Sequence, residues 1–265
     1  MIGCRFAAGF VVCHNPTMTG RPLDGTLEPA PSKPRYVPTT GKVEFVVVVA
    51  AYAAYTTLRI LVEGSRERAI ENAETVLRVE RALGLDWELS AQEWTLARPT
   101  LTGFWNFAYE WVYWPSVAIA LVLLWNTDRR RYVLLRNTVL ISATMGLFFF
   151  GLFPVSPPRF LDGYVDTLAE YGDRLVAERS QFVNEYAAVP SFHVGWPAVA
   201  GVIVAWSMGR AWVWALALTP ALLLAPAVVF TGNHFVIDIL IGLAVCFAAL
   251  AIACLISAPQ SKSTE

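Results

Sequence analysis

Charge is what this sequence has least of. Only 15% of its 265 residues are Asp, Glu, Lys or Arg, against 56% hydrophobic residues, and the formal net charge is -1. A soluble domain ordinarily carries about a quarter charged residues, so this composition argues against one. The near-neutral balance provides no global attraction to nucleic acid. Cysteine is also sparse. Cys4, Cys13, Cys246 and Cys254 form no CxxC and no metal-ligand spacing. Cys246 and Cys254 fall in one apolar run, about two helical turns apart, and read as small core or lipid-facing residues. There is no DxD, no HExxH and no Cys/His set at ligand spacing, so neither a metal nor another cofactor is expected. Met1 to Val12 is only weakly apolar and no clear cleavage site follows, so a signal peptide is not expected either. Histidine is sparse too, with only His14, His193 and His234.

Long apolar runs, by contrast, are abundant. They lie at Val43–Val62, Leu101–Trp125, Tyr132–Phe153, Pro190–Met208, Ala211–Phe230 and His234 to about Ile256, each near the roughly 20 residues needed to cross a hydrocarbon core. The expected fold is therefore all-α, a polytopic membrane bundle of six transmembrane helices. Residues 63–99 differ. Ala69, Ile70, Ala73, Val76, Leu77 and Leu83 recur at helical spacing among charges. This predicts an amphipathic surface helix, a turn at Gly84 and a short helix through Trp87 to Leu96. The alternative is a small soluble hairpin between spans. Residues 1–40 are rich in proline and read as a disordered tail, residues 41–257 as the membrane domain, and residues 258–265 as a polar tail.

Positive charge sets the orientation. The basic head, Arg129–Arg131 and Arg210 fall on one side, which makes both termini cytosolic. Residues 63–99, the loop 154–189 and the turn Thr231-Gly232-Asn233 fall on the other. Arg159, Ser191, His193 and His234 then share the non-cytosolic face.

Those residues suggest chemistry. His234 and Asp238 stand at i and i+4, on one face of a helix. A carboxylate there can hold the Nδ1 proton and leave Nε2 as a nucleophile. Gly232 and Asn233 would offer backbone amides to an anion. Ser191 reads as a helix N-cap, and with His193 it would form a phosphate cradle carrying a proton donor. Arg159 can grip phosphate bidentately. Each has a structural alternative on its own: an interfacial histidine, a helix start, an arginine near lipid headgroups. Together on one face they specify a two-step displacement through a phosphohistidine at His234.

Pro157-Pro158-Arg159, then Pro190-Ser191-Phe192-His193, then Gly232-Asn233-His234 with Asp238, resemble the three-motif active site of the type 2 phosphatidic acid phosphatase superfamily. The form here is most similar to its inositolphosphotransferase branch, that of inositol phosphorylceramide synthase. The resemblance implies a six-helix lipid phosphotransferase with His193, His234 and Asp238 as catalytic residues and Arg159 on phosphate. It also implies a membrane phospholipid as donor and an alcohol or water as acceptor. Several positions depart from the pattern. Phe192 stands where phosphatases of the superfamily commonly have glycine. Leu152 and Phe160 replace the lysine and proline of the first motif, and Val228 the arginine of the third. Two phosphate cations are therefore missing. Arg136 is a candidate replacement, unless it pairs with Glu110 inside the bundle. A lipid phosphatase using water is the second reading. A proton-coupled transporter built on Asp238, Glu110 and the histidines is the third. The expected location is the plasma membrane.

Overall fold

The computed structural model describes residues 3–7, 10–14, 40–171 and 184–257. Near the N-terminus, β1 (Gly3–Ala7) and β2 (Phe10–His14) pair antiparallel, with Gly3 opposite His14. They lie within the stretch expected to be a proline-rich tail, the rest of which is outside the described residues, as is the polar tail 258–265.

From residue 40 onward the described chain is all-α. Its helices are α1 (Gly41–Leu61), α2 (Arg66–Leu83), α3 (Glu88–Leu96), α4 (Pro99–Thr127), α5 (Arg129–Leu152), α6 (Thr167–Tyr171), α7 (Phe192–Met208), α8 (Ala211–Phe230) and α9 (Val236–Ser257). Five of them, α1, α4, α5, α8 and α9, are long and apolar enough to cross a membrane. The sixth expected span, α7, begins at Phe192 rather than Pro190 and has 17 residues, about 26 Å at the usual helical rise. It is also the most enclosed. It packs against α4, α5, α8 and α9, and its wall of Val, Ala, Gly and Trp is buried almost all round. Such a helix needs no lipid-facing stripe.

Local signals explain most boundaries. Ser65 caps α2 by accepting from the Arg68 amide at 3.3 Å, and Gly84 ends it at φ +69, a left-handed conformation that glycine adopts without strain. Asp128 ends α4 and caps α5, accepting from the Arg131 amide at 3.1 Å. The amphipathic segment has the expected two helices, but its buried stripe, Ala69, Ala73, Val76 and Glu80, has a protein partner. Ala73 and Val76 join Val155, Ala188, Val189 and Phe235 in one buried cluster. The segment therefore covers the loops at one end of the bundle.

Arg136 requires a correction. Its Nη1 lies 2.6 Å from the Glu44 carboxylate, and Tyr132 donates to the same group at 3.2 Å. This pair joins α1 to the first turns of α5. The Pro-Pro-Arg segment follows the other end of that 24-residue helix, roughly 25 Å away. Arg136 is thus neither beside Arg159 nor the partner of Glu110. A buried charge requires a counter-charge, and Glu44 supplies it.

The helices that carry His193 and Asp238, α7 and α9, cross in close contact. A Cβ on Gly242 would come within 2.2 Å of the Ser191 carbonyl oxygen, and one on Gly195 within 2.6 Å of Cys246 Sγ and 2.9 Å of the Gly242 oxygen. Two glycines therefore let the helix starts carrying His193 and Asp238 meet backbone to backbone. Gly242→Ala is expected to destabilise the fold by roughly 1–3 kcal/mol through overpacking. A lowered thermal midpoint in detergent checks this; an unchanged midpoint contradicts the packing described.

Candidate active site

The end of the bundle beneath α2 and α3 gathers the loop after α5 and the starts of α7 and α9. Asp238 occupies the third position of α9. Its Oδ2 accepts from the Phe235 amide at 2.9 Å and lies 3.3 Å from His234 Nδ1. One carboxylate thus caps the helix and orients the imidazole. His193 is one residue into α7, and its ring centroid is 5.6 Å from that of His234. Tyr109 stacks on His193 at 4.6 Å and Tyr113 tilts against it at 4.4 Å. These tyrosines stand at i and i+4 on α4, so two rings of one helix face hold the imidazole plane. Nothing in the sequence alone marked either tyrosine for this role.

Ser191 precedes α7 but does not cap it. Its amide donates to the Asp238 carbonyl at 3.0 Å, while its Oγ is buried with no hydrogen-bond partner among the described residues. The first amides of a helix have no acceptor within the helix, and no side chain caps this one. A hydroxyl and a set of helix-start amides therefore converge beside His193, a combination suited to an anion. Phe192 points elsewhere. It stacks on Trp196 at 4.9 Å and fills the notch left at Gly146, where a Cβ would come within 2.4 Å of its ring.

Gly232 and Asn233 differ from expectation. Their amides donate to Val229 and Val228 oxygens, and that of His234 also donates to Val228, so they are not available to a phosphate. They hold Arg159 instead. The Gly232 carbonyl accepts from the Arg159 amide at 2.8 Å, Asn233 Oδ1 accepts from Arg159 Nη1, and Asp166 Oδ2 lies 3.2 Å from Arg159 Nε. Gly232 has φ +69, and a Cβ there would come within 2.6 Å of Gln92 Nε2. That Gln92 side chain clasps Val165 through both its amide and its carbonyl at 2.9 Å, which steadies the loop carrying Asp166.

The cap over the site is chemically active in its own right. Glu88 Oε1 accepts from the Val236 amide at 3.0 Å and Glu80 Oε1 from the Ile237 amide at 2.7 Å. With Asp238 on Phe235, three carboxyls satisfy three consecutive donors at the start of α9. The Oε2 atoms of Glu80 and Glu88 are buried with no other hydrogen-bond partner among the described residues, and the two carboxyls are placed to share a proton. Burial, reinforced by that shared proton, pushes Glu80 up to about 9 from its usual 4.5. The folded protein therefore holds a proton that the unfolded chain has lost once pH exceeds about 4.5. Stability conferred by this proton declines as pH rises from there through about 9. Glu80→Gln, a permanently neutral mimic, is expected to flatten the fall in thermal midpoint over that range. A fall as steep as that of the wild type would exclude the shared proton.

The structure also brings in a cation that the sequence did not mark as a site residue. Arg59, in the last turn of α1, places its guanidinium carbon 5.7 Å from the centre of the Phe150 ring, which meets Phe192, next to His193, at 6.2 Å. A lone arginine at a span end carried no sequence signal for this position. Of the residues expected at the site, His193, His234, Asp238, Ser191, Arg159, Gly232 and Asn233 do come together; Arg136 does not.

Among known proteins, a family model described as the PAP2 superfamily matches residues 74–252. No curated protein and no solved structure matches. The match covers more than half the chain and spans every histidine and arginine of the site except Arg59, so the chain belongs to the PAP2 superfamily and has a lipid phosphatase/phosphotransferase-type membrane fold.

Proposed function

We propose that the protein is an integral membrane lipid phosphotransferase that moves a phosphate-bearing headgroup from a phospholipid to an alcohol through a phosphohistidine at His234. The observation that carries this is the oriented histidine pair: Asp238 at 3.3 Å from His234 Nδ1, with the His193 ring 5.6 Å from that of His234. In the first step His234 Nε2 attacks phosphorus, a P–N bond forms, and the P–O bond to the lipid alcohol breaks. His193 delivers a proton to the leaving oxygen. In the second step His193 takes the proton of the acceptor hydroxyl, whose oxygen attacks phosphorus and releases His234. Arg159, the Ser191 hydroxyl and the amides starting α7 would stabilise the charge on the transferring group.

The inositolphosphotransferase reading rests on the motif resemblance. Water as acceptor is the second reading, since the same histidines serve hydrolysis. A transporter is disfavoured by the clustering of these groups at one bundle end, where a proton path would need polar groups through the midplane. The distribution of Arg129–Arg131 and Arg210 supports cytosolic termini and a site on the non-cytosolic face, and we assign the protein to the plasma membrane.

The test uses protein in liposomes with a phospholipid labelled in its headgroup phosphate, with and without inositol or a ceramide-like acceptor. A labelled transfer product is expected, with rates lowered by about a hundredfold to ten-thousandfold in His193→Ala and His234→Ala. Full turnover in both variants would refute the assignment. Free phosphate without a transfer product would favour hydrolysis.

A further inference from the structure

Arg59 is an unusual residue for a helix as exposed as α1. Among the described residues its guanidinium has no carboxylate partner, whereas Arg81, Arg131, Arg136 and Arg159 all have one. Its Nε is buried and makes no hydrogen bond. The side chain is nevertheless fixed. Nη2 donates to the Asn184 carbonyl at 3.3 Å, and Asn184 Nδ2 returns a bond to the Arg59 carbonyl at 2.8 Å. The guanidinium carbon lies 5.7 Å from the centre of the Phe150 ring. A charge that could have extended into the headgroup region is instead held against protein.

The face of α1 bearing Arg59 looks toward the histidines. Tyr55, four residues earlier, packs its ring 6.0 Å from Trp196, which stacks on Tyr113 at 6.0 Å, and Tyr113 lies against His193. Phe150, beneath the guanidinium, meets Phe192 at 6.2 Å, next in sequence to His193. A cation with no carboxylate partner among the described residues thus lies one ring away from Phe192, whose sequence neighbours are His193 and Ser191 with its unpartnered hydroxyl. A buried charge without a counter-ion is costly, and an anionic ligand would remove that cost.

We propose that Arg59 is the second cation of a phosphoryl-binding site, gripping the phosphate from α1 while Arg159 grips it from the loop after α5. The inference rests on the phosphotransfer reading and deepens it: the ligand is a phosphoryl group, free or esterified. Arg59 also stands in for charge missing where Leu152 and Val228 occupy motif positions. Asn184 takes one Nη2 hydrogen and positions the guanidinium, leaving Nε, Nη1 and the second Nη2 hydrogen as coplanar donors.

The experiment uses the full chain in detergent. Binding of inorganic phosphate and of a short-chain phosphatidic acid is measured by calorimetry, beside thermal midpoints without ligand. Variants are Arg59→Gln, Arg59→Lys and, as a charge-loss control, Arg129→Gln at the far end of the bundle, where Arg129 stacks on Trp125. Losing a charge-assisted grip is expected to weaken both ligands about tenfold to a hundredfold in Arg59→Gln. Arg59→Lys, which keeps charge but loses the fork, should be weakened less, and the control should bind as wild type. If Arg59→Gln does not fold, Arg59→Lys decides, and wild-type affinity in it contradicts the proposal. Weakening of the lipid alone would place Arg59 on another part of the substrate and overturn it. Unchanged affinity for both ligands, with transfer still abolished in His234→Ala, would refute the role of Arg59 and leave the phosphotransfer reading intact. Wild-type protein that neither binds phosphate nor transfers it would overturn both.

Discussion

The start of α9 is the constraint on which the site depends. A helix beginning inside a protein has amides that must find acceptors or lose the free energy of their hydration. Here they find Asp238 on Phe235, Glu88 on Val236 and Glu80 on Ile237. Asp238 comes from α9 itself, and its carboxylate also orients His234. The two glutamates come from α2 and α3, so these helices are clamped onto the end of the bundle. Capping, covering and orienting are thus done by one group of carboxyls, and a shared proton between Glu80 and Glu88 keeps their mutual repulsion from undoing it.

The loops follow from the same organisation. Val155 ties two connections together, its amide donating to the Tyr186 carbonyl and its carbonyl accepting from the Ala188 amide. Asn72 and the Ala69 carbonyl of α2 hold Pro154 and Ser156. Arg159 is then delivered to Asn233 and Asp166. The charged groups of the site are therefore positioned by backbone hydrogen bonds and by neighbours fixed in turn. Pre-organisation of this kind suits a site that must stabilise transferring charge without rearranging.

Much of this was legible in the sequence. Length and apolarity located the spans, and His234 with Asp238 at i and i+4 predicted a pair that the structure places at 3.3 Å. Gly84 marked the end of α2. What was hidden required knowledge of pairing across the bundle. Arg136 could not be assigned to Glu44, because the two are 92 positions apart and nothing local distinguishes Glu44 from Glu110 as a partner. Arg59 resembled any arginine at the end of a span. Gly232 and Asn233 looked like an anion seat because their motif sits just before a helix, yet the turn consumes its own amides. The amphipathic stripe of α2 gave the correct period but not the partner, since a stripe fits a membrane surface and a set of loops equally well.

The central claim is that His234 becomes covalently phosphorylated, and the most direct measurement is to trap that species. Protein mixed with phospholipid labelled in its headgroup phosphate, without acceptor, is quenched in alkali and digested for peptide mass spectrometry. The account predicts an acid-labile, alkali-stable adduct on the peptide containing His234, absent in His234→Ala. An adduct on His193, or turnover of wild-type protein with no adduct on either histidine, would contradict it.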